Sequence, residues 1–503
     1  MSRARSKFYK ILLLMLMIGL LVGVSFSQRN LNRQRTEMGL TRIDPLENAP
    51  PILAFTTVAL GGFRGLIANA LWIRANDLQE EGKYFEMVQL ADWITKLQPH
   101  FVTVWVHQAW NMAYNISIKF TEPQDRWQWV SRGIELLRDD GLRFNPKEPL
   151  IYRELGWIFQ HKMGHYMDDA HEYYKQYWAS EMSRVLASGR PNWEELINPQ
   201  TPETKERVRL LKERFKMDPT FMKLVDEKYG PLEWRLPETS AIYWATLGLE
   251  KTKDQKLKKE DFITLRRVVF QSLQLAFHRG KMIYPRKNSL EFIYGPNLEI
   301  IRQASESYEE MMSLEPEKEY NVKNAHKNFL GTSVYFLYVH GRTQAAEQWF
   351  AYLKKLYPQA VDTGLSMEDY AISRVSEEVG DTDPNRMRSV LEGLLEQSFM
   401  NAAFGEDELA QGYQRLAAKI RERYMVTIGK ISEKRVGLPP LSETREVVLK
   451  RLLAPDSGLD PVIAAQLRTA LNLPANYGLP ATPVEGGAIS TNAPPPRAAS
   501  LNQ

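Results

Sequence analysis

Residues 75–99, ANDLQEEGKYFEMVQLADWITKLQP, carry apolar side chains at the spacing of two amphipathic helices joined by a short turn at 81–83. Gly82 can adopt the positive φ that a helix end often needs. Pro99 can end the second helix, because its ring clashes with the preceding turn. The pattern predicts a helical hairpin. One hairpin cannot bury its apolar face alone, so we expect several hairpins, each covering the next.

The same spacing of small, aromatic and proline residues recurs along the chain. It is carried by Gly82, Tyr84, Ala91, Pro99, Trp105 and Ala109, then by Tyr152, Leu155, Gly156, Phe159, Gly164, Tyr166 and Ala170, and finally by Gly341, Ala346, Phe350, Leu353 and Pro358. This pattern resembles the tetratricopeptide repeat, well in 75–170 and 330–358 and loosely in 239–285. Ala170 lies one place late, which predicts a lengthened turn. The resemblance implies an all-α, right-handed α-solenoid that binds other proteins.

The N-terminus has the pattern of an export signal. Basic residues in 1–10 precede an uncharged apolar run at 11–27. Counted from Phe8, this stretch is about long enough to cross a hydrocarbon core of roughly 30 Å. It is predicted to be a transmembrane anchor or a signal peptide. Ser25 and Ser27 suit cleavage after Ser27, whereas the length of the run favours retention as an anchor.

The orientation of this segment is predicted from its flanks. Arg29, Arg33 and Arg35 follow the apolar run, so basic residues are nearly balanced on its two sides. The short N-terminal end favours a cytoplasmic N-terminus. We therefore expect a single-pass protein of a bacterial inner membrane with most of the chain in the periplasm, or a secreted protein if Ser27 is a cleavage site.

Proline content and periodicity divide the rest of the chain. Apolar residues 52–76 are interrupted by Gly61, Gly62 and Gly65 and predict the first buried helix, with an interfacial membrane helix as the alternative. The prolines of 185–238 predict an insertion with its own short helices. The predicted regions are a basic N-terminus 1–10, an anchor or signal peptide 11–27, a linker 28–51, repeats 52–184, the insertion 185–238, repeats 239–360, capping helices 361–436, short helices 437–473 and a disordered Pro-rich tail 474–503.

Net charge and cysteine content exclude several kinds of partner and of functional site. The net charge is +4, from 65 basic and 61 acidic residues, and no basic stripe interleaved with aromatic residues occurs, so we expect no nucleic-acid partner. The chain contains no cysteine. This excludes disulfides, thiolate metal sites and cysteine nucleophiles, and it suits an exported protein.

Ligand-type side chains concentrate in residues 161–172, HKMGHYMDDAHE. On one helix His161, His165 and Asp169 would share a face, which is the spacing that a metal ion requires. Gly164, however, predicts a hairpin turn inside this run. The chain has no Gly-x-Ser-x-Gly elbow, no dinucleotide-binding glycine pattern and no His-Glu-x-x-His motif. We therefore predict no catalytic residue, no metal site and no cofactor.

The predicted function is that of a scaffold. The inner face of a repeat stack is a groove in which aromatic rings give contact area at low entropic cost. Trp110, Asn111, Asn115, Tyr152 and Arg153 are predicted to border a groove for a protein or peptide partner. The sequence leaves the oligomeric state open.

Two alternatives remain open from the sequence. One is an envelope enzyme or glycan-binding protein whose site lies in 185–238, with Trp234, Arg235 and Glu238 as ligand-binding side chains. The other is a cytoplasm-facing membrane-bound adaptor. Such adaptors carry a cysteine metal module, which this chain lacks.

Overall fold

A computed structural model shows an all-α protein with one two-stranded sheet. It describes residues 3–37, 63–255, 258–284, 292–359, 361, 364–376, 384–455 and 457–479. These residues divide into two compact units, the first ending at Ser333 and the second beginning at Val334.

Helix α1 is Arg3–Glu37. Its apolar part, Leu12–Leu31, has 20 residues and a mean hydropathy of 1.8, and no part of it is buried. In the described part of the chain it is the one helix long and apolar enough to cross a membrane, and it is consistent with an anchor or a signal sequence. The helix extends into the predicted linker 28–51, because residues 28–37 contain neither Gly nor Pro. The rest of that linker, and residues 52–62 of the first repeat region, lie outside the described residues.

Three helical hairpins follow in the first unit. Their helices are α2 (Phe63–Glu80) with α3 (Tyr84–Leu97), α4 (Val102–Trp110) with α5 (Pro123–Glu135), and α6 (Pro149–Trp157) with α7 (His171–Leu186). Gly82 lies in the first turn with φ +72°, as its position predicts. Pro123 and Pro149 are the first residues of their helices, where the missing N–H of proline costs nothing.

Helices α4, α5 and α6 each continue into a π-helical turn. These turns are Asn111–Ile116, Leu136–Gly141 and Ile158–Met163. A π turn adds a residue to the helical repeat and so changes which side chains share a face. Such turns occur frequently at functional sites.

The insertion has its own short helices, as predicted. They are α8 (Trp193–Ile197), α9 (Pro202–Glu213) and α10 (Pro219–Tyr229). Asn192, Thr201 and Asp218 cap them through their side-chain oxygens. The insertion buries Leu211, Met222 and Trp234. It packs on the surrounding helices, with the ring of Phe215 5.6 Å from that of Trp178.

The chain then returns to long helices. These are α11 (Pro237–Thr252), α12 (Lys259–Arg279), α13 (Ile301–Leu314) and α14 (Glu319–Val339). Between α12 and α13, β1 (Lys281–Ile283) pairs antiparallel with β2 (Ile293–Gly295), with Met282 opposite Tyr294. The sequence analysis did not predict these strands, because each has only three residues and carries no long alternating pattern.

Successive hairpins of the first unit touch one another. Helix α3 packs on α4, α4 on α6, and α6 on both α11 and α12, so helix contacts link the residues on either side of the insertion. A Cβ at Gly156 of α6 would lie 2.9 Å from Val268 Cγ1 and 3.3 Å from the carbonyl oxygen of Ala241. The Leu-Gly pair of the repeat pattern therefore lies at a close helix contact.

The second unit contains the C-terminal helices. They are α15 (Thr343–Leu356), α16 (Met367–Ser376), α17 (Pro384–Ala403), α18 (Asp407–Val436), α19 (Leu441–Leu453) and α20 (Pro461–Ala470). Helix α17 contacts α18, α19 and α20 and supplies Leu391, Leu395 and Phe399 to their common core.

The ordered chain of the second unit extends into the predicted disordered tail 474–503. Arg468 Nε donates to the carbonyl oxygen of Tyr477 at 3.0 Å, and Tyr477 packs against the core. Residues 474–479 of the predicted tail are therefore structured. Residues 480–503, on which the rest of that prediction falls, lie outside the described residues.

Candidate functional site

Six rings of the first unit form a continuous contact series, which we call the aromatic row. Trp110 stacks on Tyr114 with ring centroids 5.5 Å apart, and Tyr114 lies 5.9 Å from His161. His161 stacks on Trp157 at 4.8 Å and on His165 at 5.7 Å. His165 stacks on Tyr166 at 4.3 Å. The two end rings reach solvent, since Trp110 is 39% and Tyr166 is 71% exposed.

The π-helical turns after α4 and α6 carry the centre of this row. Tyr114 belongs to the first turn and His161 to the second, and Tyr114 Oη lies 3.3 Å from His161 Nδ1. Gly164 ends the second turn by donating its N–H to the carbonyl oxygen of Phe159 at 2.9 Å. A Cβ at Gly164 would lie 2.4 Å from the carbonyl oxygen of Gln160, so this tight exit requires glycine.

A buried ion cluster lies beside the row. Asp168, in the turn before α7, contacts Lys162 and accepts from the backbone N–H of Ala170 at 2.8 Å. Arg126 Nη2 of α5 lies 3.2 Å from Asp168 Oδ1, and the Tyr174 hydroxyl lies 3.3 Å from the same atom. Both carboxylate oxygens are thus engaged, and two cations share one carboxylate.

Burial and ion pairing shift the pKa values of Asp168 and Lys162 in opposite directions. Burial alone would raise the pKa of Asp168, but the hydrogen bond and charge of Lys162, with Ala170 N–H and Arg126, hold the pKa below its usual value. Burial lowers the pKa of Lys162 despite its contact with Asp168. Burial also lowers the pKa of His161, helped by the charges of His165 and Lys162.

A cavity of about 450 Å³ adjoins both features. Ile118 and Met167 are exposed at its rim, as is Asp169. Its lining residues are Tyr114, Ile118, Arg126, His161, Lys162, Met167, Asp168 and Asp169. The cavity thus combines apolar side chains with the buried Lys162, the largely buried Arg126 and two carboxylates, Asp168 and Asp169. Its volume and its mixture of apolar and charged lining residues are typical of small-molecule pockets.

The predicted groove residues differ in their exposure to solvent. Trp110 is the exposed end of the aromatic row. Asn111 is fully buried, and its amide donates to the carbonyl oxygen of Tyr84 and accepts from Asn115. Tyr152 is 3% exposed, and its hydroxyl donates to the carbonyl oxygen of Pro146. Arg153 pairs with Glu154. Asn111 and Tyr152 therefore offer a partner little surface.

The histidines considered as metal ligands stack on each other. The rings of His161 and His165 are inclined by 15°, and Asp169 lies in the turn beyond Gly164. No group of three or more His, Asp or Glu side chains within the described ranges is arranged to hold a metal ion.

The side chains of the insertion considered for ligand binding have internal partners. Trp234 is fully buried and donates its Nε1–H to Asp226 at 3.0 Å. Arg235 binds Glu233 through Nε at 2.7 Å. Glu238, at the start of α11, pairs with Arg279 at 2.6 Å. These contacts give the three side chains a packing role.

The sequence analysis missed Arg126, Lys162 and Asp168 as a group. Lys162 and Asp168 lie in the run 161–172 that it singled out, but Arg126 belongs to a different hairpin. A charged residue at the start of an amphipathic helix carries no signal of burial by itself. Only the packing of α5 against α7 brings it to Asp168.

No family model, curated protein or solved structure matches this chain. The resemblance to tetratricopeptide repeats therefore depends on the spacing of the quoted residues.

Proposed function

We propose that this protein is a membrane-anchored scaffold of tetratricopeptide-like hairpins that binds a protein partner at a bacterial cell envelope. The observation that carries the proposal is the contact between successive hairpins, which continues from α3 through α4 and α6 to α11. Stacked hairpins of this kind form a right-handed α-solenoid and expose long surfaces to partners. The envelope processes that such a scaffold serves are assembly, secretion or polysaccharide export.

The exposed ends of the aromatic row are the proposed contact surface. Trp110 and Tyr166 are large rings that bury much area with few rotatable bonds, which suits residues that dominate binding energy. They replace the predicted set of groove residues, because Asn111 and Tyr152 are buried.

Photocrosslinking in the native host tests this surface. A photoreactive amino acid at position 110 or 166 is expected to capture the same protein, and one at Val426, an exposed residue of the second unit, is not. Tyr166→Ala is expected to reduce capture from position 110. Equal capture from all three positions, or capture that Tyr166→Ala leaves unchanged, contradicts the proposed surface.

The apolar part of α1 supports a single-pass anchor with the remainder of the chain in the periplasm. The segment has 20 residues, which is about the length that crosses a bilayer core. Protease added to intact spheroplasts is expected to cleave an epitope fused to the C-terminus. An epitope that resists protease until the membrane is opened would show that the repeats face the cytoplasm.

A further inference from the structure

The ion cluster that lines the cavity contains two cations and one carboxylate, and Asp169 adds a second carboxylate at the exposed rim. Arg126 and Lys162 both pair with Asp168, whose Oδ1 also accepts from the N–H of Ala170 and the hydroxyl of Tyr174. Lys162 and Asp168 are buried, and the side chain of Arg126 is 12% exposed. Two cations facing one carboxylate leave a net charge of about +1 in a region shielded from water, where charges interact strongly.

One donor of this cluster is unused. Nε of Arg126 is buried and has no hydrogen-bond partner among the described residues. A buried donor without a partner is destabilising, and a charged one more so. Because the open group is a donor on a cation, its natural complement is an anionic oxygen, which forms a charge-assisted hydrogen bond.

The rest of the lining suits an apolar body. Tyr114 offers a ring, and Ile118 and Met167 form an exposed apolar rim. Asp169, which is exposed at the rim, repels an anion there, so an acid group is favoured on the buried side of the cavity, beside Arg126. A ligand that places its acid group inside and its apolar part at the rim satisfies both regions.

We propose that this cavity binds a small organic carboxylate with a flat apolar body, its acid group paired with Arg126 and its body between Tyr114, Ile118 and Met167. This site is additional to the protein-binding surface. Its test uses the isolated chain without any partner, so its failure and the failure of the scaffold proposal are distinguishable.

The test is calorimetric titration of the detergent-solubilised full chain with 2-naphthoate, with empty micelles subtracted. The matched probe is 2-naphthamide, which has the same ring system without the charge. We expect 2-naphthoate to bind at least about tenfold more tightly than 2-naphthamide, the difference typical of a charge-assisted hydrogen bond. Equal affinity for the two probes, or no binding of 2-naphthoate, overturns the proposal.

Variants locate the binding within the cavity. Arg126→Gln is expected to weaken 2-naphthoate binding at least about tenfold and to leave 2-naphthamide unchanged. Because this variant alters a buried cluster, Ile118→Glu provides a second test at an exposed position. Its rim charge should weaken 2-naphthoate binding severalfold, whereas the neutral Ile118→Gln should affect both probes equally. If Ile118→Glu and Ile118→Gln have the same effect on 2-naphthoate, the acid group does not lie in this cavity.

Discussion

Gly248 of α11 lies directly against Tyr152 of α6. A Cβ at position 248 would be 2.6 Å from the Cβ of Tyr152, closer than two such atoms approach in folded proteins. The two helices can therefore approach at this point only because residue 248 has no side chain. This contact joins α6 of the third hairpin to α11, the first helix after the insertion.

Gly248→Ala is expected to destabilise the first unit. The added methyl group must displace α6 or α11, and overpacking of this kind typically costs about 1–3 kcal/mol. Denaturant unfolding followed by circular dichroism measures the change. The control is Gly65→Ala in α2, where the new Cβ would meet only Gln98 Nε2 at 3.4 Å. Alanine favours the helix there, so an equal loss in both variants contradicts the close contact.

Gly82 provides a test of backbone conformation without packing. Its φ is +72°, and a Cβ would meet nothing within 4 Å. Gly82→Ala is expected to lower the free energy of unfolding by about 1 kcal/mol, because the left-handed conformation strains an alanine. Gly82→Asn should cost less, since asparagine tolerates this conformation. Equal melting temperatures for Gly82→Ala and Gly82→Asn would show that the turn has rearranged, because asparagine should tolerate the left-handed conformation better than alanine.

The positions of helices could be predicted where local chemistry marks their ends. Proline is the first residue of α5 and of α20, and Gly82 ends α2. These signals act within one turn of helix and can be read directly from neighbouring residues. The apolar part of α1 is equally local, because a membrane span needs only length and composition.

The site could not be predicted in the same way. The aromatic row depends on two π-helical turns, and a π turn results from a shift in backbone hydrogen bonding that side-chain periodicity does not record. The predicted groove residues Asn111 and Tyr152 have polar groups and suitable spacing, yet tertiary packing buries both. Their burial follows from contacts with other helices, which no local pattern specifies.

Asp168→Asn is expected to be strongly destabilising. It leaves Lys162 buried without a counter-charge, and breaking a buried ion pair typically costs about 3–5 kcal/mol. The matched control is Asp169→Asn at the adjacent, exposed position, which should change the free energy of unfolding by less than about 0.5 kcal/mol. Chemical unfolding at pH 7 compares them. Similar values for the two variants would contradict the role of the buried cluster.

The same carboxylate predicts a loss of stability in acid. Its pKa is depressed in the folded protein, although burial opposes this, because Lys162 and Arg126 stabilise the charged form. The unfolded chain therefore takes up a proton first as the pH falls past 3.8, the ordinary value. Stability present above that pH is lost as the pH falls through the folded pKa. Asp168→Asn should remove this part of the acid dependence, and an unchanged acid profile in the variant would contradict it.

His326 predicts a second pH dependence at higher pH. Its Nε2 lies 2.8 Å from Ser305 Oγ, and its ring stacks on Tyr308 at 5.1 Å. Burial lowers the pKa of His326 from 6.5 to about 4. Between these values the unfolded chain binds a proton that the folded protein does not, so stability present above pH 6.5 falls as the pH approaches 4. The loss is about 3 kcal/mol at most. His326→Gln should be less stable at pH 7, but its free energy of unfolding, measured with urea, should depend less on pH. Parallel plots of the free energy of unfolding against pH for the two proteins would show that His326 already binds its proton in the folded state.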